Sequence, residues 1–172
     1  WGAAVRIDDS LGGDKYTEDF GTTISGGNIY VSWSDDRNST NADLYFTMSS
    51  DGGATWTADA EIDKGYPSGG NPMREWRMAA DGENVARAIG TDEGDEYLFL
   101  ADSTDAGATW SSAIAATGHN GHSDADEMDI VVSGDTAYLA WNDNFDVVAG
   151  TGSRTADACY MSTFDMVSGT FT

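Results

Sequence analysis

The chain has 172 residues, with 30 Asp and Glu against 8 Lys and Arg, a formal charge of −22, and 40% hydrophobic residues including six Trp, seven Tyr and six Phe. That charge excludes a general affinity for DNA, RNA or anionic membrane, because such surfaces demand clustered cations. The apolar content is enough for a core, so the charge does not imply disorder, and the length fits one domain or a piece of a larger one.

In chain order, a short strand is expected at 1–8, beginning at Trp1 rather than Met, as after loss of a leader or in a fragment. Four strands follow at 22–25, 28–34, 43–48 and 58–62, four more at 77–80, 84–89, 96–101 and 112–116, and three at 129–133, 136–142 and 158–162. Period-two alternation, β-branched and aromatic residues, and Gly or Asp turns argue for strands throughout. No segment has a sustained helical period with caps. Cys159 has no partner in the chain and is expected to be a small buried residue of a strand.

These strands repeat. Ser49-Ser50-Asp51-Gly52-Gly53-Ala54-Thr55-Trp56 recurs 54 residues later as Ser103-Thr104-Asp105-Ala106-Gly107-Ala108-Thr109-Trp110, and a degraded third copy lies at 162–171. Trp33 and Trp141, each in an alternating strand after a Gly turn, are 108 residues apart, twice that period. Four-stranded units at this spacing point to propeller blades; a β-sandwich would leave the period unexplained. The expected architecture is all-β: a β-propeller of four-stranded antiparallel blades at about 20–62, 76–116 and 128–172, three per chain, forming one unit. Within each octapeptide the Asp can accept backbone N–H bonds in a tight turn, Gly53 or Gly107 can take a positive φ, and the Trp can cover the space between sheets.

The Ser-x-Asp-x-Gly-x-Thr-Trp octapeptide resembles the Asp box, or bacterial neuraminidase repeat, and 29–56 resembles a blade of sialidase-like proteins. The resemblance implies a β-propeller, usually of six or seven blades. It also implies that Ser49, Asp51, Gly53, Thr55, Trp56, Ser103, Asp105, Gly107, Thr109 and Trp110 are structural, away from the functional face. Three blades make half of a six-bladed ring. The segment 1–8 matches 56–63, a fourth strand, so two chains are expected to join head-to-tail as a homodimer, each 1–8 strand completing the last blade of its partner. The rival expectation is a fragment of a longer single-chain propeller.

The connections expected on the functional face are 8–19, 64–76, 117–128, 35–42, 91–95 and 143–156. A sialidase needs arginines that hold the substrate carboxylate bidentately, a Tyr nucleophile with a Glu partner, and an Asp acid/base. The family's Arg-Ile-Pro would fall near Phe20-Gly21-Thr22-Thr23-Ile24, which lacks the arginine. Arg37 resembles a family arginine after the second strand. Arg74, Trp76, Arg77 and Arg154 complete the ligand-binding candidates; no catalytic Tyr–Glu pair is assignable. Trp76, Tyr16 and Tyr66 fit either sugar stacking or core packing. His119, His122, Asp124 and Asp126 are metal-ligand types without a recognisable spacing. No cofactor is expected, with calcium on the acidic loops the one addition considered.

The leading expectation is a sialidase-like, non-catalytic module that binds a glycan or a protein. The alternative is an exo-sialidase-type glycoside hydrolase or a fragment of one, and a third reading is a purely structural repeat. The sequon Asn38-Ser39-Thr40 and the acidic excess fit an extracellular or cell-surface protein from a high-salt or marine setting.

Overall fold

The computed structural model of the chain describes residues 3–9, 17–37, 43–62, 73–91, 98–116, 126–145 and 154–172. Every regular element among them is a strand: β1 Thr17–Ser25, β2 Asn28–Asp35, β3 Asp43–Ser49, β4 Ala60–Glu61, β5 Met73–Asp81, β6 Asn84–Thr91, β7 Leu98–Ser103, β8 Ile114–Ala115, β9 Asp126–Ser133, β10 Thr136–Phe145, β11 Arg154–Asp165 and β12 Thr170–Phe171. They form three antiparallel sheets of four strands, each ordered as the chain runs: β1 to β4, β5 to β8, β9 to β12.

Three differences from the sequence expectation stand out. The first strand of each sheet begins several residues before its apolar run, because Thr17, Glu18 and Met73 pair through their backbones with Asp35, Ser34 and Thr91. A ladder satisfies N–H and C=O groups whatever the side chain. The fourth strands are two residues each, paired only with the third strand of their sheet. Residues 3–9 take no strand; Ile7 instead packs on Val31, Trp33 and Tyr45 of the first sheet.

The two larger cores lie between sheets, and a smaller one of Val31, Trp33 and Tyr45 lies on the outer face of the first sheet under Ile7. Alternate residues of each strand point to opposite faces, and the apolar ones meet those of the next sheet. Tyr30, Leu44 and Phe46 of the first sheet pack with Trp76, Val85 and Ile89 of the second. Ala88, Leu98 and Leu100 of the second pack with Ile130, Leu139 and Trp141 of the third. Close approach depends on two glycines. A Cβ on Gly21 would lie 2.3 Å from the Trp76 ring, and one on Gly107 2.3 Å from the Phe46 ring. The rims are tied too. Ser25 Oγ accepts from Gly82 N–H at 2.8 Å, and the Tyr30 hydroxyl donates to Gly82 C=O at 2.8 Å. Asp81 accepts from Gly134 N–H at 2.8 Å, and Asn84 donates to Gly134 C=O at 2.9 Å.

The octapeptides are closed turns between the third and fourth strands. Asp51 accepts the N–H groups of Ala54 and Thr55, both at 2.9 Å, and the Thr55 hydroxyl at 2.6 Å, while Ser49 Oγ donates to it at 2.8 Å. Asp105 repeats this with Thr109 and Ser103. In the degraded copy Asp165 holds the N–H groups of Val167 and Ser168. Gly53 and Gly107 take φ of 89° and 85°. Cys159 corrects its expectation: it lies in β11 but is exposed, on a face of the third sheet that no other described residue covers.

Gly107→Ala should cost about 2–4 kcal/mol, from left-handed backbone strain plus overpacking against Phe46. Gly27→Ala, with φ 89° and nothing within 4 Å, should cost about 1–2 kcal/mol. Equal shifts in urea midpoint would refute the steric role. The hydrogen bonds from the Thr55 hydroxyl, the Thr55 N–H and Ser49 lower the pKa of Asp51 to about 2. A lowered carboxylate contributes stability above its unfolded pKa, near 3.9, and loses it as pH falls through the folded value. Between about pH 4 and pH 2, Asp51→Asn should therefore flatten the loss of stability that the parent shows in urea titrations.

Candidate functional site

The first strands of the sheets are the ones that meet one another: β5 lies between β1 and β9. All three carry a register break at the same, N-terminal end. It falls between Glu18 and Phe20 in β1, between Met73 and Glu75 in β5, and between Asp126 and Asp129 in β9. Each break puts an extra residue on the first strand, a bulge of the kind that re-aims side chains and is over-represented beside active sites. Charged residues stand at every bulge: Glu18-Asp19, Arg74-Glu75 and Asp126-Glu127. Glu127 sits at φ 51°, a left-handed conformation that costs a non-glycine residue energy. The three bulges thus fall near one another on neighbouring strands, where the described charged side chains are those of Glu75, Arg77 and Glu127.

The sequence candidates are distributed unevenly around it. Arg77 of β5 is half-exposed, forms an ion pair with Glu75, and donates to the Trp76 C=O at 2.9 Å. Arg74 stands at the β5 bulge and Arg154 opens β11 opposite Phe145; their side chains lie outside the described residues. Trp76 is not a surface platform: it is buried between the first two sheets, over Gly21. Tyr16, Tyr66, His119, His122 and Asp124 lie outside the described residues, as does the side chain of Asp126. Among the described residues no group of three His, Cys, Asp or Glu could hold a metal ion.

Arg37 is engaged in a different way. Its guanidinium donates to Asp35 at 2.8 Å, Asp59 at 2.8 Å and Asp9 at 3.3 Å, and stacks 4.0 Å from the centre of the Tyr45 ring. Asp35 and Asp59 are almost fully buried. Burial opposes the Arg37 charge, yet the hydrogen bonds and charges of Asp35 and Asp59 outweigh it and raise its pKa. Burial raises the Asp59 pKa, against the hydrogen bonds from the Asp9 N–H and Arg37. Asp9 and Asp59 also exchange backbone bonds, each N–H donating to the other's carboxylate at 3.0 and 3.2 Å. The cluster clasps residues 3–9 to the first sheet, and its arginine is committed to carboxylates of the same chain.

The bulges were missed by sequence reasoning. Their only trace is a pair of charged residues placed just before each apolar run, where alternation breaks.

No family model matches the chain, and no curated protein matches its sequence. Solved structures do match in fold. A Hadza microbial sialidase, Hz136, superposes with a TM-score of 0.60 at 16% identity over 90% of this chain and 36% of its own. The α-L-arabinanase of Penicillium chrysogenum, complexed with arabinobiose, gives 0.58 at 14% over 91% of this chain and 48% of its own. The Trypanosoma rangeli sialidase in complex with sialic acid gives 0.55 at 11% over 91% of this chain and 30% of its own. The fold is thus that of sialidase-like β-propeller glycosidases, and the chain spans less than half the length of each of these proteins.

Arg37→Ala should destabilise the protein by about 3–5 kcal/mol, because it leaves Asp35 and Asp59 buried without a cation. A loss in urea unfolding below about 1 kcal/mol, as for an exposed pair, would refute the clasp.

Proposed function

We propose that this chain is a sialidase-like propeller module that binds a glycan at the bulged ends of β1, β5 and β9 and does not turn it over. The observation that carries this reading is the recurrence of a charged bulge at the same end of all three first strands. Arg77, half-exposed on the middle strand, is the group proposed to meet a sugar carboxylate. The octapeptides are proposed to be Asp boxes, acting as structural turns. The commitment of Arg37 to three aspartates supports binding over hydrolysis, since it removes the one arginine that resembles a catalytic-site residue of sialidases. An extracellular, high-salt setting suits a chain of −22: at about 1 M salt the Debye length is roughly 3 Å, and an anionic sugar can approach Arg77 without long-range repulsion. Exo-sialidase-type hydrolysis is the second reading, favoured by the carboxylates of Glu75 and Glu127 beside the same bulges.

Sialyllactose titrated calorimetrically in high salt should bind the parent and bind Arg77→Ala about tenfold more weakly, roughly 1.4 kcal/mol. Release of the fluorophore from a fluorogenic sialoside by the parent would replace the binding reading with the hydrolase one. Absence of both binding and turnover would sink both.

A further inference from the structure

Three carboxylates converge on the Arg37 guanidinium where residues 3–9 meet the first sheet. Nη1 donates both to Asp59 Oδ2 at 2.8 Å and to Asp9 Oδ1 at 3.3 Å, so these two carboxyl groups share one nitrogen. Nη2 is taken by Asp35 at 2.8 Å. Asp9 and Asp59 are joined directly as well, the N–H of each donating to Oδ2 of the other. Two carboxylates held this close repel one another unless a proton is shared between them, and one guanidinium cannot balance three negative charges.

The surrounding groups do not supply the missing positive charge. Arg6 bears on the cluster, but its Nε and Nη2 donate to Asp8 at 2.9 and 2.7 Å. Asp36 precedes Arg37 in the chain, and Asp43 of β3 and Glu61 of β4 add further negative charge. Burial first, then the charges of Glu61 and Asp43, push the Tyr45 hydroxyl beneath Arg37 up to about 12, so it stays neutral. The Asp59 side chain is only 2% exposed, and its Oδ1 is buried with no hydrogen-bond partner. An ionised carboxylate is costly in such a place, and a neutral carboxyl much less so. Asp9 is 57% exposed and can carry the remaining charge in water.

We infer that Asp9 and Asp59 share one proton, and that this proton makes the clasp between residues 3–9 and the first sheet a pH-sensitive fastening, tightest in mild acid and looser once the proton is lost. Burial pushes Asp59 up while the hydrogen bonds from Asp59 hold Asp9 down, the divergence expected of a carboxyl pair that titrates as a unit. Apart from one another, both groups would titrate near 3.9. Below that value the open form binds up to two protons and the closed pair one. Above it the open form binds none, and the closed pair still holds one. Closure is therefore most favoured near pH 4 and weakens about tenfold per pH unit above it, until the pair itself ionises. Opening lifts Ile7 from Val31, Trp33 and Tyr45, so loss of a proton becomes exposure of an aromatic face. The fastening works whether or not the chain binds a glycan.

Amide hydrogen exchange of residues 3–9, corrected for the intrinsic rate at each pH, should show protection that is greatest near pH 4 and falls about tenfold or more by neutral pH. Asp59→Asn, whose amide can donate to the Asp9 carboxylate without titrating, should keep the protection and lose the slope. At about pH 6, where free carboxyls are ionised, the infrared spectrum of the parent should hold a protonated-carboxyl band that is missing from both Asp59→Asn and Asp9→Asn. Protection that stays flat from about pH 4 to pH 8, or Asp59→Asn with the parent's slope, would overturn the fastening. The same band persisting in Asp9→Asn would assign the proton to Asp59 alone and overturn the sharing.

Discussion

The stacking of one sheet on the next is the contact on which the rest of this molecule depends. A four-stranded sheet with Tyr30, Leu44 and Phe46 on one face and Val31, Trp33 and Tyr45 on the other cannot be stable alone, because half of its apolar surface would stay in water. The chain therefore places its largest side chains across sheet boundaries. Trp76 of β5 fills the space above Gly21 of β1, and Phe46 of β3 fills the space beside Gly107 in the next sheet's turn. A glycine opposite a large ring is a lock between sheets: the residue that lacks a side chain sets how closely the neighbour approaches.

The polar bonds follow the same logic at the edges. Ser25, Tyr30, Asp81 and Asn84 reach from one hairpin to the glycine of the next, so the backbone groups of those turns are satisfied between sheets. The Arg37 cluster does the equivalent for residues 3–9, which have no ladder to hold them. In a chain with 30 carboxylates and 8 Lys and Arg, a cation shared among Asp9, Asp35 and Asp59 lets two of them be buried near one another. Deployed this way, the arginine is a fastening, and its resemblance to a sialidase arginine is one of sequence position.

Much of the fold was legible because its signals are local. Alternation marked the long strands, and the octapeptide spacing marked the sheet period; Asp51, Gly53 and their counterparts take the roles that turn chemistry assigns. What was not legible is relational. The sequence around Trp76 reads equally as a sugar platform or a core residue, and only the glycine 55 positions earlier decides for the core. Arg37 meets Asp59 and Asp9 across 22 and 28 residues, a separation that no motif records. The bulges are a matter of register between two strands, and register has no single-strand signature when charged residues occupy the break. Cys159 is a related case: its strand was readable, but whether a sheet packs over its face is not written in that strand, and among the described residues none does.

The hydrogen-bonded octapeptide turns and the register breaks stand at opposite ends of the sheets. At the octapeptide end, Asp51 and Asp105 spend their acceptor capacity on the N–H and hydroxyl groups of their own turns, which leaves those carboxylates little to offer a ligand. At the opposite end the first strands break register, Glu127 takes a strained conformation, and Glu75 and Arg77 face each other with part of their surface in water. Strain and incomplete burial are tolerated where the surrounding structure over-determines the backbone, and the sheet-to-sheet locks at Gly21 and Gly107 provide that over-determination. The Gly21–Trp76 lock lies within two residues of the bulges of β1 and β5, so the first two sheets are held together right beside the charged end.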